Sequence, residues 1–340
     1  MGMMNSSTPK EFDFNNDTEA GLIICAGGFE HRSLAFPRRI RKSRCSFESA
    51  LILHYESQRE DNQPNYIRLG DRLAELVGGT PEIVPVNANT PIQSIAAVKS
   101  KISDIYPKLS NRSALIDISG MTHLWAIGAI HYCLTHGFRI SVVYTEARWY
   151  FPLKRDKKRL VKAWITYDYD TAADYLQSAA LKSVHIPPEF GGNFRPDRQT
   201  CLMVFAGYEP NRIEGLVELY APGALIVFYG KSPHEDLQWR TDLSRQLHSK
   251  LFSRWHLRET EISTLVTDEI LAKLEEEFRI VKEHFDVAIT PHCSKMQGLA
   301  AYLFWRRHPE VQLLFTSPVR FNPERYSRGS GKTYVYEINI

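Results

Sequence analysis

The chain has 340 residues, 43% hydrophobic and 24% charged, with a net charge of +3. These values describe a globular protein of two domains or one fused pair, and exclude a disordered chain or one whose net charge alone marks a nucleic-acid binder. The five cysteines form no CxxC pair and four lie in or beside apolar runs, which reads as reduced thiols in an intracellular, cytoplasmic protein.

Residues 1–20 are polar and acidic with no basic-then-apolar pattern, so a loose tail is expected there, not a signal peptide. Short aliphatic runs then alternate with helical patterns, the signature of parallel βαβ units. Strands are expected from Gly21, Ala50, Glu82, Ser113 and Phe138. A helix follows Pro91, and another, apolar almost all round, runs from Met121 to a stop at Gly137. Its apolar run, Leu124–Leu134, is far shorter than a membrane span.

The second half repeats this order, with strands from Cys201, Ala224, Asp286 and Val311 and helices between them. The Pro- and Gly-rich segment 186–199 is the expected linker. The fold class is therefore α/β, two tandem Rossmann-like units (21–185 and 200–340) with mostly parallel sheets and an internal duplication. Three segments match in order: Leu22–Arg32 with Leu202–Arg212, Leu51–Tyr55 with Leu225–Tyr229, and Val142–Pro152 with Leu313–Pro323. An aromatic-rich segment follows each half, 163–170 and 332–339.

In an open parallel sheet the ligand sits beyond the carboxyl ends of the strands, where helix N-termini favour anions. After the first strand come Gly27, Gly28, Glu30 and Arg32. They fit a close backbone approach to a ligand with an Arg for phosphate, or equally a tight turn with an Arg–Glu pair. Gly207, Glu209 and Arg212 stand at the same place in the second half, which favours function. After the fourth strand come Asp117, Ser119, Thr122 and His123. Helix capping explains part of this pattern but not His123. His292, Ser294 and Lys295 answer them in the second half, and Glu146 and Arg148 are answered by Arg320 and Asn322.

The segment Asp117–His123 resembles the Asp-x-[Ser/Thr]-x-x-x-[Arg/Lys] signature of CARF domains, Rossmann-like sensors of cyclic oligonucleotides in prokaryotic defence, and a fused pair is similar to the related SAVED architecture. It departs in two ways: His123 replaces the basic residue, and the second half lacks the Asp. The resemblance implies a symmetric ligand across the paired units, with Asp117 and Ser119 on its backbone or bases. It also implies an effector partner outside this chain, and His123 opposite His292 as a general acid–base for a bound phosphodiester.

The expected function is thus sensing of a nucleotide-type small molecule in antiviral defence. The first alternative is a nucleotide-processing hydrolase or phosphodiesterase using Asp117, His123 and Glu146. The second is a nucleic-acid adaptor using the basic runs Pro37–Cys45 and Lys154–Arg159, which read otherwise as solvated helix ends. No metal site is expected, since no His/Cys cluster has ligand spacing. No cofactor is expected either: the first turn lacks GxGxxG, and Gly329–Thr333 is not a P-loop because Tyr326 stands where its first glycine belongs.

Overall fold

A computed structural model describes residues 9–56, 59–252 and 257–338. The chain divides into two compact units, the first formed by 1–149 with 327–340 and the second by 150–326.

The first unit is built on strand β2 (Thr18–Gly27), whose Leu22–Ala26 run is wholly buried. A parallel strand covered by helices on both faces needs such a continuous apolar run. It pairs in parallel with β3 (Cys45–Tyr55) on one side and β5 (Ser113–Asp117) on the other. Outside these lie β4 (Glu82–Val86) and β6 (Arg139–Thr145), giving the parallel order β4-β3-β2-β5-β6. The crossovers carry α1 (Ala35–Arg39), α2 (Arg59–Val77), α3 (Pro91–Ile105) and α4 (His123–Thr135). Helix α3 buries Ile95, Val98, Ile102 and Ile105 at three- and four-residue spacing. Beyond β6 the sheet continues antiparallel, through β16 (Thr333–Ile338) to β1 (Lys10–Glu11).

The second unit repeats the order. Its central β9 (Thr200–Ala206) lies between β10 (Ala224–Lys231) and β12 (Asp286–Thr290), flanked by β11 (Leu257–Ser263) and β13 (Gln312–Leu313), all parallel. Both sheets therefore have the 3-2-1-4-5 order of a doubly wound Rossmann-like fold. The second unit's helices are α5 (Lys157–Ile165), α6 (Tyr169–Ala173), α7 (Pro210–Tyr220), α8 (Trp239–Phe252), α9 (Thr267–Val281) and α10 (Lys295–Arg307). Strands β8 (Ser178–His185) and β14 (Phe315–Phe321) form a separate antiparallel pair. Two-residue strands β7 (Trp149–Tyr150) and β15 (Ser327–Arg328) lie at the points where the chain passes between units.

The division differs from the one expected from sequence in four places. Of the segment expected as a loose tail, residues 1–8 lie outside the described residues, and Lys10–Glu11 and Thr18 onward are strand. The segment 186–199 lies inside the second unit: Phe190 is fully buried against Tyr302, Trp305 and Phe315, and the Arg195 amide donates to Asp286 at 2.6 Å. Residues 327–340 return to the first unit because β16 covers the hydrogen-bonding edge that β6 would otherwise expose. The aromatic segments 163–170 and 332–339 are not equivalent, since the first lies in and after α5 and the second contains β16.

If Phe190 is an anchor, Phe190→Ala should cost about 3 kcal/mol or more, read as a lower urea midpoint of the full chain. An unchanged midpoint would return 186–199 to a linker.

Candidate functional site

In both sheets the winding reverses beside the central strand, and the crevice lies outside the carboxyl ends of β2 and β5 or of β9 and β12. The sequence-predicted residues after these strands collect there.

In the first unit the loops after β2 and β5 touch. A Cβ on Gly28 would stand 3.2 Å from the Gly120 carbonyl oxygen, and one on Gly120 would stand 2.6 Å from Cβ of Ser33. Gly27 packs likewise on Tyr66 of α2. These glycines thus serve loop-to-loop and loop-to-helix packing, the tight-turn reading of the sequence. The Asn65 amide and the Ser33 hydroxyl both donate to the Gly28 carbonyl.

Glu30 and Arg32 form a buried ion pair at 3.0 Å, with both side chains 8% exposed. Arg32 also donates to the Tyr144 hydroxyl at 3.4 Å, and Ser327 donates to Glu30 at 2.5 Å. The Glu30–Arg32 pair is thereby held at the sheet edge by partners from β6 and the returning C-terminal segment.

Asp117 ends β5 and is 1% exposed. Its Oδ1 accepts from the Ser119 hydroxyl at 2.5 Å and the Ser119 amide at 3.0 Å. The Ser119 hydroxyl in turn accepts from the Thr145 amide at 2.8 Å, and Thr145 meets Thr333 of β16 at 2.9 Å. One polar chain therefore runs from β5 through the loop to β6 and β16. The other carboxylate oxygen, Oδ2, is buried with no hydrogen-bond partner. Burial pushes the Asp117 carboxyl up to about 7, against the opposing pull of the Ser119 hydrogen bonds and of Arg32.

Thr122 is the exposed N-cap of α4 and makes no side-chain capping bond. Its amide donates to the Tyr55 hydroxyl, which donates on to the Gly120 carbonyl. His123 is the first helical residue and half-buried. Glu146 sits apart from the reversal, accepting from Tyr334 of β16, and exposed Arg148 stacks over Trp149 at 4.5 Å.

The second unit is closed where the first is open. Ser294 caps α10 in a reciprocal box with Gln297 and also donates to the Thr264 carbonyl, so its hydroxyl serves the fold. Buried Glu209 lies 3.7 Å from His292, and Gly207 packs beneath both. Burial raises the Glu209 carboxyl, against Arg212. Arg212 donates to Ser178 and Thr316, tying β8 to β14, while its Nε is buried without a partner. Half-buried Lys295 opens α10. Arg320 and Asn322 lie further along β14, which leaves the parallel sheet: Thr316 reaches His292, and Arg320 is about 13 Å beyond it along the strand.

Sequence reasoning missed Arg240 on α8. It donates to the carbonyls of Tyr150, Phe151 and Pro152 and to the Tyr208 hydroxyl, fastening the start of the second unit to the turn after β9. No motif marks such a residue, because its partners are backbone carbonyls far away in sequence. Among the described residues no group of three potential ligands could hold a metal ion, and no helix is long and apolar enough to cross a membrane.

No family model matches the chain, and no curated protein matches it. Among solved structures it is similar to a type III CRISPR defence DNA nuclease activated by cyclic oligoadenylate, at 9% identity and a TM-score of 0.46, over 85% of this chain. It spans only 64% of that nuclease's length. It is also similar to a Neisseria meningitidis UDP-GlcNAc 2-epimerase bound to UDP-GlcNAc (10% identity, TM-score 0.23, 91% of this chain and 88% of that one). A third is the N-domain of a bacterial malonyl-CoA reductase with NADP (11%, 0.23, 85% and 80%). At such scores these likenesses carry no weight for function, and the fold class stands on strand order.

The raised Asp117 pKa has a consequence for stability. A carboxyl near 7 when folded and near 3.8 when unfolded binds its proton more tightly in the native state. Its contribution is full below the lower value and is lost as pH rises through the higher one. Urea midpoints should therefore fall from about pH 4 to pH 7 more steeply for the native chain than for Asp117→Asn. Parallel pH profiles would contradict the burial argument.

Proposed function

We propose that the chain binds a nucleotide-type anionic ligand at the carboxyl edge of the first unit's sheet. The observation that carries this reading is the start of α4. At the reversal of strand order this helix has no side-chain cap, its N-cap Thr122 is exposed, and Asp117 lies just behind with an unpartnered buried oxygen. The corresponding helix of the second unit is closed by Ser294 and Gln297. A helix N-terminus offers amide donors and a positive dipole end to phosphate, and the Glu30–Arg32 pair lies at the same edge.

Within that class, a cyclic oligonucleotide acting for a separate effector protein in antiviral defence rests on the sequence resemblance at Asp117–His123. Burial favours binding over turnover. A carboxyl near 7 suits acid–base work, yet Asp117 is sealed from solvent and bonded to its own loop.

Calorimetry of the full chain against mononucleotides and against linear and cyclic oligoadenylates tests the reading. Micromolar binding of at least one is expected. Thr122→Glu should weaken it about tenfold or more while leaving thermal stability equal or higher, since a carboxylate at a helix start favours the helix but repels phosphate. Absence of micromolar binding, or binding indifferent to Thr122→Glu, would overturn it.

A further inference from the structure

A second surface, in the other unit, is built from α5 and the turn that follows it. The buried face of α5 carries Leu160, Ala163 and Trp164, which pack with Leu243 and Leu247 of α8. The opposite face is a basic stripe. Exposed Arg155, Lys158, Arg159 and Lys162 recur at three- and four-residue spacing and so project on one side of the helical run. Among the described residues no hydrogen bond or ion pair engages the side chains of Lys154, Lys157, Lys158, Arg159 or Lys162, and the one ion-pair partner of Arg155 is its neighbour Asp156, at 3.9 Å. The later acids Asp168, Asp170 and Asp174 belong to α6 and its ends, and Asp168 is occupied in capping that helix.

At the end of the stripe the chain exposes aromatic rings. Tyr167 is 63% exposed and Tyr169 46%, with their centroids 6.1 Å apart, and exposed Ile165 lies beside them. Tyr167 also has a φ of +61°. The helix ends in a Schellman turn, with the Asp168 amide bonded to the Ala163 carbonyl, and Tyr167 occupies the left-handed position usual for glycine. A large side chain is strained there, and this one buries little of itself in return. Beneath the ring, the Lys250 ammonium lies 3.9 Å from the centroid and donates to the Ile165 carbonyl, which holds the ring in place.

Uncompensated cations leading into exposed, positioned rings match the requirements of a single-stranded nucleic acid, whose phosphates take the cations and whose bases stack on the rings. We infer that α5 and Tyr167–Tyr169 form a docking surface for single-stranded nucleic acid. From Arg155 to Lys162 the stripe follows about 10 Å of helix axis, enough for a short run of backbone phosphates. The recognition is of charge and stacking, and so is tolerant of sequence.

The test is fluorescence anisotropy of the full chain with labelled oligothymidylate and oligouridylate at several salt concentrations. Binding should weaken steeply with salt. The triple variant Lys158→Ala, Arg159→Ala, Lys162→Ala should lower affinity about tenfold or more and flatten the log–log salt slope by about 2, at about 0.7 per lost phosphate contact. Tyr167→Gly should weaken binding while thermal stability stays equal or rises, because glycine relieves the left-handed strain. A residue with only a structural role would not separate the two. Arg38→Ala with Arg41→Ala, on the unused basic run, should leave binding unchanged, and excess mononucleotide should not displace the oligonucleotide. The inference fails if the triple variant or Tyr167→Gly binds as tightly as the native chain. It fails equally if the Arg38 and Arg41 variant or a mononucleotide abolishes binding, or if the chain ignores oligonucleotides and binds phosphatidylserine vesicles instead.

Discussion

A parallel strand with both faces covered cannot turn straight back to its neighbour. It must leave the sheet, cross over through a helix and re-enter from the same end. That constraint acts on β2 and β9, whose runs Leu22–Ala26 and Leu202–Ala206 are wholly buried. Every loop that follows a strand is thereby sent to one edge, and the reversal of winding opens a crevice there. Within each unit the polar residues after the two central strands, β2 and β5 or β9 and β12, come together because those strands are parallel, not because the residues attract one another.

Within that frame the two units spend similar residues differently. In the first, Asp117, Ser119 and Thr145 form a polar chain that fixes the loop before α4 to β6, while the helix start itself receives no side-chain cap. In the second, Ser294 and Gln297 cap α10, and Glu209 and His292 fill the space behind it. A helix start closed by its own side chains satisfies its amides and leaves little to offer a ligand. The contrast leaves α4 without the side-chain cap that α10 has, although the second unit also carries polar residues at its edge.

The strands were legible where side chains face helices on both sides, since burial then writes a continuous apolar run, whereas their order in each sheet comes from the structure. Strand β11 was not legible. It is an edge strand, Leu257–Ser263, in which Arg258, Glu259 and Glu261 are exposed and Ile262 is buried, so it carries no continuous apolar run. The unit boundary was not legible either, because β16 completes the first sheet from the far end of the sequence and no local composition announces such a return. At the site, the residue types were readable but their duties were not. Glycines that suggest close ligand approach proved to pack on Tyr66 and Gly120, and Ser294 proved to be a cap. Arg240 and Tyr167 act through backbone carbonyls and through a left-handed φ, and neither leaves a pattern in one sequence.

The central claim is that the start of α4, and not that of α10, is the ligand-facing helix N-terminus. Hydrogen–deuterium exchange with and without saturating nucleotide tests it directly. The account predicts new protection in the segment 118–126 and around Arg32, with 291–298 unchanged. Protection confined to 291–298, or spread equally over both segments, would contradict it.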